Sequence, residues 1–576
     1  MTESLGPWAD RADMAAMADV ADGRGGADGS DGRSRPVIAV VGAGIAGLAA
    51  AWELATNADL SLASGGGARS GPPRVLVLEA DDRVGGKLAA TEFAGQTVDL
   101  AADAFLARRP EATELCEQLG ISDQLVPVGA SGASILARGR LRPMPAGLAL
   151  GVPTRWWPLA RSGLLNPAQS LRVARDLVMP HLTAGGVIGD QTVAGIVGPR
   201  LGRRVVERLV DPLIGGINAG GVDELSAAAT FPALIAASHQ TGSLMRALGR
   251  LPRPDPEEPV FWSLRQSTAS LADRLVDRLV DPASKWDVSI HTGVSVDAIT
   301  QLSVSPSARR RWWLTLSGSG AEALTREAGA STLAGRGGSG GPTVGSAGTS
   351  GPPQPSGAAR LEEGVAVDGI VLALPAPRAA VLLAPQSPVA AGVLSTVQYA
   401  SVGVVTLSIP RAAIGSPLDG TGFLVPRTSL IAGRPALITG CTYLSRKWPH
   451  LGGTGTGAGS DDGTELIRLS VGRFGDERHL DLDDTELTAA AFSELSRVLD
   501  IAGDPSDSQV TRWAGAFPQY RVGHLTRVGN IEKAVADLPA VAVAGAAYRG
   551  VGIPACIGSG RSAARSVLGS LTGAVR

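Results

Sequence analysis

Short runs of branched apolar residues alternate along the chain with longer alanine-rich stretches, and glycines mark the joints between them. Val37–Val41 is one such run, and its length and β-branching predict a buried strand. The alanine-rich stretch after it predicts a helix to about Asn57. A second strand is predicted over Arg74–Glu79, so the fold opens as a βαβ unit with a lengthened connection at 61–73 (SLASGGGARSGPP). Residues 160–250 read as largely helical. Apolar positions 271, 275, 276 and 279 share one helical face, which predicts an amphipathic helix over Leu271–Leu279. β segments follow at Val288–Ile299, Trp312–Leu316 and Val365–Leu374. A last strand, Val541–Ala544, leads through a glycine-rich turn into a helix of roughly Pro554–Leu568.

Three stretches break this pattern. Residues 1–35 are polar and glycine-rich, 317–359 are rich in Gly, Ser, Ala and Pro, and 452–463 read GGTGTGAGSDDG. None carries enough large apolar residues to offset the entropy of ordering. They are expected to be a disordered tail, a disordered insertion and a flexible loop.

Composition narrows the class. Apolar residues make up 44% and charged residues 18%, as in a globular protein, and the net charge of −2 gives no reason to expect nucleic acid as a partner. Cys116, Cys441 and Cys556 lie far apart with no CxxC pair, so neither a disulfide framework nor a metal site is expected, and a reducing cytoplasm fits. No run of 18 apolar residues and no secretory leader is visible, so a soluble, cytoplasmic protein is expected. The Pro- and Trp-bearing stretch Pro143–Leu165 leaves peripheral membrane contact open. Histidines 181, 239, 291, 450, 479 and 524 are scattered and suggest no triad.

The chemistry concentrates at Gly42-Ala43-Gly44-Ile45-Ala46-Gly47, a GxGxxG between a strand and a helix. The first glycine permits the tight turn, the second lets backbone approach a pyrophosphate, and the third lets helix and strand pack closely. The helix N-terminus adds amide donors and the positive end of a dipole. Glu79 closes the second strand as the acceptor for ribose hydroxyls. It lies 32 residues after Gly47 rather than the usual ~20, and the 61–73 loop accounts for the excess. Arg83-Val84-Gly85-Gly86-Lys87 follows at once. Its glycine doublet lets backbone reach a cofactor, and its two cations can meet phosphates or carboxylates, with a plain surface turn as the competing reading.

Glutamate followed by RxGGK resembles the FAD-containing amine oxidase and protoporphyrinogen oxidase superfamily. Arg140–Pro145 (RLRPMP), Gly151–Thr154 (GVPT), Glu207–Asn218 (ERLVDPLIGGIN), Lys447–His450 (KWPH), Thr511–Tyr520 (TRWAGAFPQY) and Gly545–Ile557 (GAAYRGVGIPACI) narrow the likeness. Together they resemble the bacterial HemY-type porphyrinogen oxidases, in particular the Gram-positive coproporphyrinogen III oxidases, over about residues 37–572. The resemblance implies an α/β fold: a Rossmann-like FAD-binding domain built from discontinuous segments, with a mixed α+β substrate domain and a helical insertion. On this reading the FAD-binding domain takes 36–110, 256–316, 360–380 and 511–576. The substrate domain takes 111–160 and 381–510, and the helical domain 161–255.

The same resemblance implies non-covalent FAD and its contacts. Gly42, Ala43, Gly44, Ile45, Ala46 and Gly47 would hold the pyrophosphate, and Glu79 and Ala80 the adenosine ribose. Arg83, Gly86, Lys87 and the segment Asp99, Leu100, Ala101, Ala102 would line the flavin side. Val296 would pair with adenine through backbone, Trp513 would pack near the isoalloxazine, and Val551, Gly552 and Ile553 would meet its pyrimidine end. The family commonly has Glu-x-Gly-Pro where this chain reads Asp99-Leu100-Ala101-Ala102, which puts the local backbone path in doubt.

The implied reaction is oxidation of coproporphyrinogen III to coproporphyrin III by oxygen, with hydrogen peroxide as product and hand-over to a ferrochelatase as a further implication. The six electrons leave in three flavin turnovers, each a hydride from a bridge carbon to flavin N5. Coproporphyrinogen carries four carboxylates, so Arg108, Arg109, Arg140 and Arg142 are candidates for the cavity rim. Tyr443 and Phe423 are candidates for the tetrapyrrole face. Solvated surface charge competes for each arginine, and core packing for each aromatic. Protoporphyrinogen IX oxidase, another flavin amine oxidase, a carotenoid desaturase and a flavin-free binding protein are the rival readings.

Overall fold

The computed structural model describes residues 35–57, 72–178, 189–240, 242–252, 258–302, 311–327, 363–451 and 463–572. Most of the expected tail 1–35, most of the loop 61–73, the insertion from 328 to 359, the 452–462 part of the last loop, and His181 lie outside the described residues.

A five-stranded parallel sheet forms the nucleotide unit, in the order Asp287–His291, Arg74–Leu78, Val37–Val41, Gly369–Leu372, Val541–Val543. Val37–Val41 sits in the middle, and all five of its residues are buried. The helix Ile45–Thr56 covers one face. Its residues 46–55 are all buried, because the long helix Ile553–Thr572 packs over it. Gly560 makes that crossing possible: a Cβ there would lie 2.0 Å from the Ala46 carbonyl oxygen. The antiparallel strands Ser295–Gln301, Trp312–Ser317 and Gly364–Val367 pack on the other face.

A seven-stranded sheet forms the second unit, in the order Asp507–Pro518, Tyr399–Pro410, Thr464–Val471, Ile438–Tyr443, Gly422–Leu424, Ser134–Ala137, Arg140–Pro143. Helix Asp484–Leu499 buries Leu487, Ala491, Leu495 and Leu499 in its core. Its start is fixed by a capping box between Asp483 and Glu486. Helices between Trp156 and Gly249 form a third core around Val193, Val197, Leu209 and Leu234. Within it, Val206–Gly215 winds as a π-helix with Pro212 inside.

Several expected boundaries need correction. Val365–Leu374 is two strands in two different sheets, broken at Asp368, whose carboxylate accepts from the Val37 amide at 2.8 Å. Every residue from 364 to 372 is buried, and the sign of the break in the sequence is the Asp368-Gly369 dipeptide, a turn signal within the apolar run. Val288–Ile299 likewise splits into Asp287–His291 and Ser295–Gln301. The strand Asp507–Pro518 pairs along Tyr399–Pro410, so residues 511–518 belong to the seven-stranded sheet rather than to the nucleotide unit. Conversely, helix Pro110–Leu119 packs into the nucleotide core through Ala112, Leu115, Cys116 and Leu119. The start of the expected disordered insertion is also ordered: Ser317 ends a strand, and helix Ala321–Glu327 buries Ala321 and Leu324.

Candidate active site

The first helix begins without a side-chain cap. Gly44 stands at its N-cap with no capping hydrogen bond, so the first-turn amides lack side-chain partners. A Cβ on Gly44 would meet no protein atom within 4 Å. The turn is thus open where a phosphate would sit, and helix amides point there. The two flanking glycines have other roles. Gly42 has φ +98°, and a Cβ on it would lie 2.6 Å from the Ala373 carbonyl oxygen; a Cβ on Gly47 would lie 1.8 Å from the Gly42 carbonyl oxygen. Ala43 is buried and donates from its amide to Glu79 Oε2 at 2.6 Å, while Glu79 Oε1 accepts from Asp81 at 3.1 Å. The Gly85 amide donates to the Ala43 carbonyl at 2.9 Å, which clamps the RVGGK turn against the glycine-rich one.

From this turn a cavity of about 650 Å³ runs to the seven-stranded sheet. Gly42, Gly44, Ile45, Ala46, Glu79 and Ala80 line its nucleotide end. Arg83, Gly86, Lys87, Ala101 and Ala102 continue the wall, joined by Val296, Trp513, Val551 and Ile553. Arg83 donates to the Gly86 carbonyl at 2.6 Å and so braces its own turn. Lys87 opens onto the cavity, but protein crowds its stem, and that desolvation lowers its pKa. The Val296 carbonyl accepts from Arg378 at 2.9 Å.

Five expected cofactor residues act from behind the wall rather than in it. Ala43 and Gly47 hold the turn as described. Asp99 is buried and accepts from the amide and hydroxyl of Thr268 at 2.9 and 2.8 Å. The Leu100 carbonyl accepts from the Trp513 indole at 3.0 Å, which fixes the ring. Gly552 opens the last helix by accepting from the Cys556 amide at 3.0 Å. The 99–103 segment is held without the family's Gly-Pro. Arg468 donates to the Asp99 and Ala101 carbonyls, and Asp103 accepts from Lys447 at 2.9 Å and Trp448 at 3.0 Å. Desolvation works to raise the Asp103 pKa, but Lys447 and Arg468 outweigh it and hold it down at about 2. Lys447 and Trp448 are the KW of KWPH, so that motif clamps this segment.

The sequence did not expose the bracket behind the C-terminal turn. The Tyr520 hydroxyl donates to the Ala546 carbonyl at 2.5 Å and accepts from the Gly550 amide at 2.9 Å. His524 stacks on Tyr520 at 3.9 Å and reaches the Tyr548 carbonyl through Nε2 at 2.7 Å. Burial depresses the His524 pKa to about 4, so the ring is neutral at physiological pH.

The expected substrate residues lie elsewhere than the cavity wall. Arg109 caps helix Pro110–Leu119 and pairs with Glu111 at 2.7 Å in solvent. Arg108 and Arg140 are exposed, and Arg142 packs against Gly163. Tyr443 and Phe423 are core residues, 1% exposed each, packed edge-to-face at 6.3 Å. The far wall is instead small and apolar: Val402, Gly403 and Val404 from one strand, Val471 from the next, Ala514 and Ala516 from the edge. The π-helix faces them with Asp211, Pro212 and Gly215, and such helices recur at functional sites. Arg473 closes this end.

A nucleotide turn that leads into a largely apolar chamber is the arrangement of a flavin-dependent oxidoreductase. The chain belongs to the flavin containing amine oxidoreductase family, whose pattern it matches over residues 45–323 and 356–568. Among its relatives is the coproporphyrinogen III oxidase of Bacillus subtilis (strain 168), 29% identical over 92% of this chain and 97% of that protein. The coproporphyrinogen III oxidase of Propionibacterium freudenreichii is 32% identical over 92% of this chain and 90% of that protein. A solved structure from Exiguobacterium sp. 255-15, provisionally named a protoporphyrinogen oxidase, superposes with a TM-score of 0.72 at 28% identity, covering 93% of this chain and 99% of that one. No helix among the described residues is long and apolar enough to cross a membrane. Of the apolar stretch Pro143–Leu165, Val152, Leu159, Leu164 and Leu165 are buried and Trp157 is exposed.

Proposed function

We propose that this chain oxidises coproporphyrinogen III to coproporphyrin III with non-covalently bound FAD, in haem biosynthesis. One observation carries the reading: a single cavity joins the glycine-rich turn to an apolar chamber between the seven-stranded sheet and the helical unit. The open space at Gly44 and the uncapped helix behind it fit a dinucleotide pyrophosphate. FAD, when bound, supplies the acceptor for the hydride leaving a bridge carbon, with oxygen as the terminal acceptor and hydrogen peroxide as product. The chain's own part is to bind, orient and exclude water. Trp513 is held by Leu100, and Tyr520 fixes the backbone of the turn before Val551–Ile553. The start of helix Ile553–Thr572 presents its positive dipole end to the cavity, where it favours negative charge.

Among the described residues Cys556 is the cysteine that lines the cavity, and burial pushes its thiol up to about 11. A protonated thiol is a poor nucleophile, which favours a non-covalent cofactor. The deciding experiment is anaerobic turnover of coproporphyrinogen III and protoporphyrinogen IX side by side on the purified yellow protein, with product fluorescence recorded. Faster oxidation of protoporphyrinogen would replace this reading with the second one, which the Exiguobacterium likeness favours. Oxidation of neither would overturn both.

A further inference from the structure

Four cations line the cavity. Arg83, Lys87 and Arg378 belong to the nucleotide unit, whereas Arg473 stands on the opposite wall, two residues after the strand Thr464–Val471. Arg473 is 9% exposed, and its Nε is buried with no hydrogen-bond partner. Among the described residues no acceptor pairs with its guanidinium. The backbone around it is fixed: its amide and carbonyl exchange hydrogen bonds with Asp476 at 3.2 and 2.9 Å, and the Phe474 amide donates to the Ala219 carbonyl at 2.7 Å. The backbone that carries the side chain is therefore fixed at the wall, and a buried guanidinium without acceptors is costly unless something supplies them.

Two charged neighbours share the corner. Asp211 on the π-helix lines the same cavity and is also 9% exposed. Its Oδ1 accepts from the Val222 amide at 3.2 Å, and its Oδ2 lies 3.9 Å from Arg427 Nε. Arg427 itself reaches the Phe474 carbonyl at 3.4 Å. Asp476 also attracts Arg473, but Arg478 pairs with Asp476 at 2.7 Å, so the corner holds three guanidinium groups against two carboxylates, an excess of one positive charge. Burial first, then the repulsion of Arg427, lowers the Arg473 pKa, which is the condition a bound anion relieves. The terminal nitrogens of a guanidinium set in a cavity wall can pair with the two oxygens of a carboxylate.

We propose that Arg473, with Asp211 beside it in the wall and Arg427 behind, is a carboxylate-recognition subsite of the chamber, taking one carboxylate-bearing arm of the tetrapyrrole. This rests on the porphyrinogen reading above. It also moves the search for substrate cations from the exposed Arg108, Arg109 and Arg140 to a buried position between two units.

The test compares wild type with Arg473→Met on three readouts: KM for coproporphyrinogen III, equilibrium binding of coproporphyrin III and of its tetramethyl ester, and the flavin-to-protein absorbance ratio. Loss of one charge-assisted carboxylate contact weakens binding by about tenfold to a hundredfold. The expected result is that loss for the free acid, no change for the ester, and an unchanged flavin ratio. Equal affinity in both proteins overturns the inference. So does equal weakening of acid and ester, which would place Arg473 against the ring, and so does loss of flavin from folded variant. Should Arg473→Met not fold, Arg473→Lys keeps the cation without the flat edge and must still bind the acid more weakly; wild-type affinity there overturns the inference. Each of these outcomes leaves wild-type turnover of coproporphyrinogen intact. A wild type that oxidises neither porphyrinogen overturns the proposed function, and this subsite falls with it.

Discussion

At the nucleotide end the cavity wall is mostly backbone: Gly42, Gly44, Gly85 and Gly86 bring main chain to the surface, and helix amides face the space between. At the far end it is side chains from four strands and a π-helix, mostly apolar, with Asp211 and Arg473 as its charged members. The first kind of wall suits the pyrophosphate of a dinucleotide, on the proposed reading. The second binds by shape and by one unpaired charge, so specificity belongs there. Substitutions at the two ends should therefore separate cofactor loading from substrate use.

The largest effect is expected at Gly44. No protein atom lies within 4 Å of a Cβ there, so the apo fold should tolerate Gly44→Val while the pyrophosphate cannot. The absorbance ratio of folded variant should fall to near zero, and a normal ratio would show that the turn does not hold the cofactor. At the other end, Ala514→Phe places a ring in the chamber without touching the glycine-rich turn. Flavin content should stay at the wild-type level while kcat/KM for coproporphyrinogen drops by more than about tenfold; loss of both together would mean the two ends are not separable.

A smaller effect ties the ends together through His524. Its folded pKa, about 4, lies below the ordinary 6.5. The unfolded chain therefore takes up the proton first, stability is complete above about pH 6.5, and it declines as pH falls towards 4. The slope contributed is at most ~1.4 kcal/mol per pH unit. Melting temperatures of wild type and His524→Gln between pH 7.5 and 4.5 should converge in acid, and parallel curves would remove His524 from the account. The smallest effect is at Arg109. Its exposed pair with Glu111 is worth ~0–1 kcal/mol, so Arg109→Ala should change kcat/KM on either porphyrinogen by less than about twofold. A tenfold loss on coproporphyrinogen alone would restore it to the cavity rim.

The difference between the ends also explains what could be read from the chain. Turn, close approach and tight packing each demand glycine within six consecutive residues, and Glu79 follows at the end of the next strand, so the nucleotide site is written locally. The chamber has no such local signature. Val404, Val471 and Ala514 are single residues on three strands, and any strand has a face of that kind. Arg108, Arg109 and Arg140 were chosen because they are cations in segments thought to flank the cavity, but sequence does not say which side of an edge strand or helix cap a guanidinium takes. Arg473 lies in GRFGDE, where Gly472 has φ +80°; the tight turn was visible, but not that its arginine would be buried. Gly560 was equally hidden, because its partner Ala46 is more than five hundred residues away.

The assembly of the five-stranded sheet has a consequence for how the protein is made. Its strands begin at Val37, Arg74, Asp287, Gly369 and Val541, so the sheet takes its last edge from a segment far along the chain from the other four strands. The helix that carries Ile553 and crosses the first helix at Gly560 comes later still. Domains generally fold as units during synthesis, but this sheet lacks its Val541–Val543 edge until that segment has left the ribosome. The seven-stranded sheet, complete by Pro518, can form earlier. The nucleotide sheet is thus the later of the two to be completed, after the strands that wall the chamber have had time to pair.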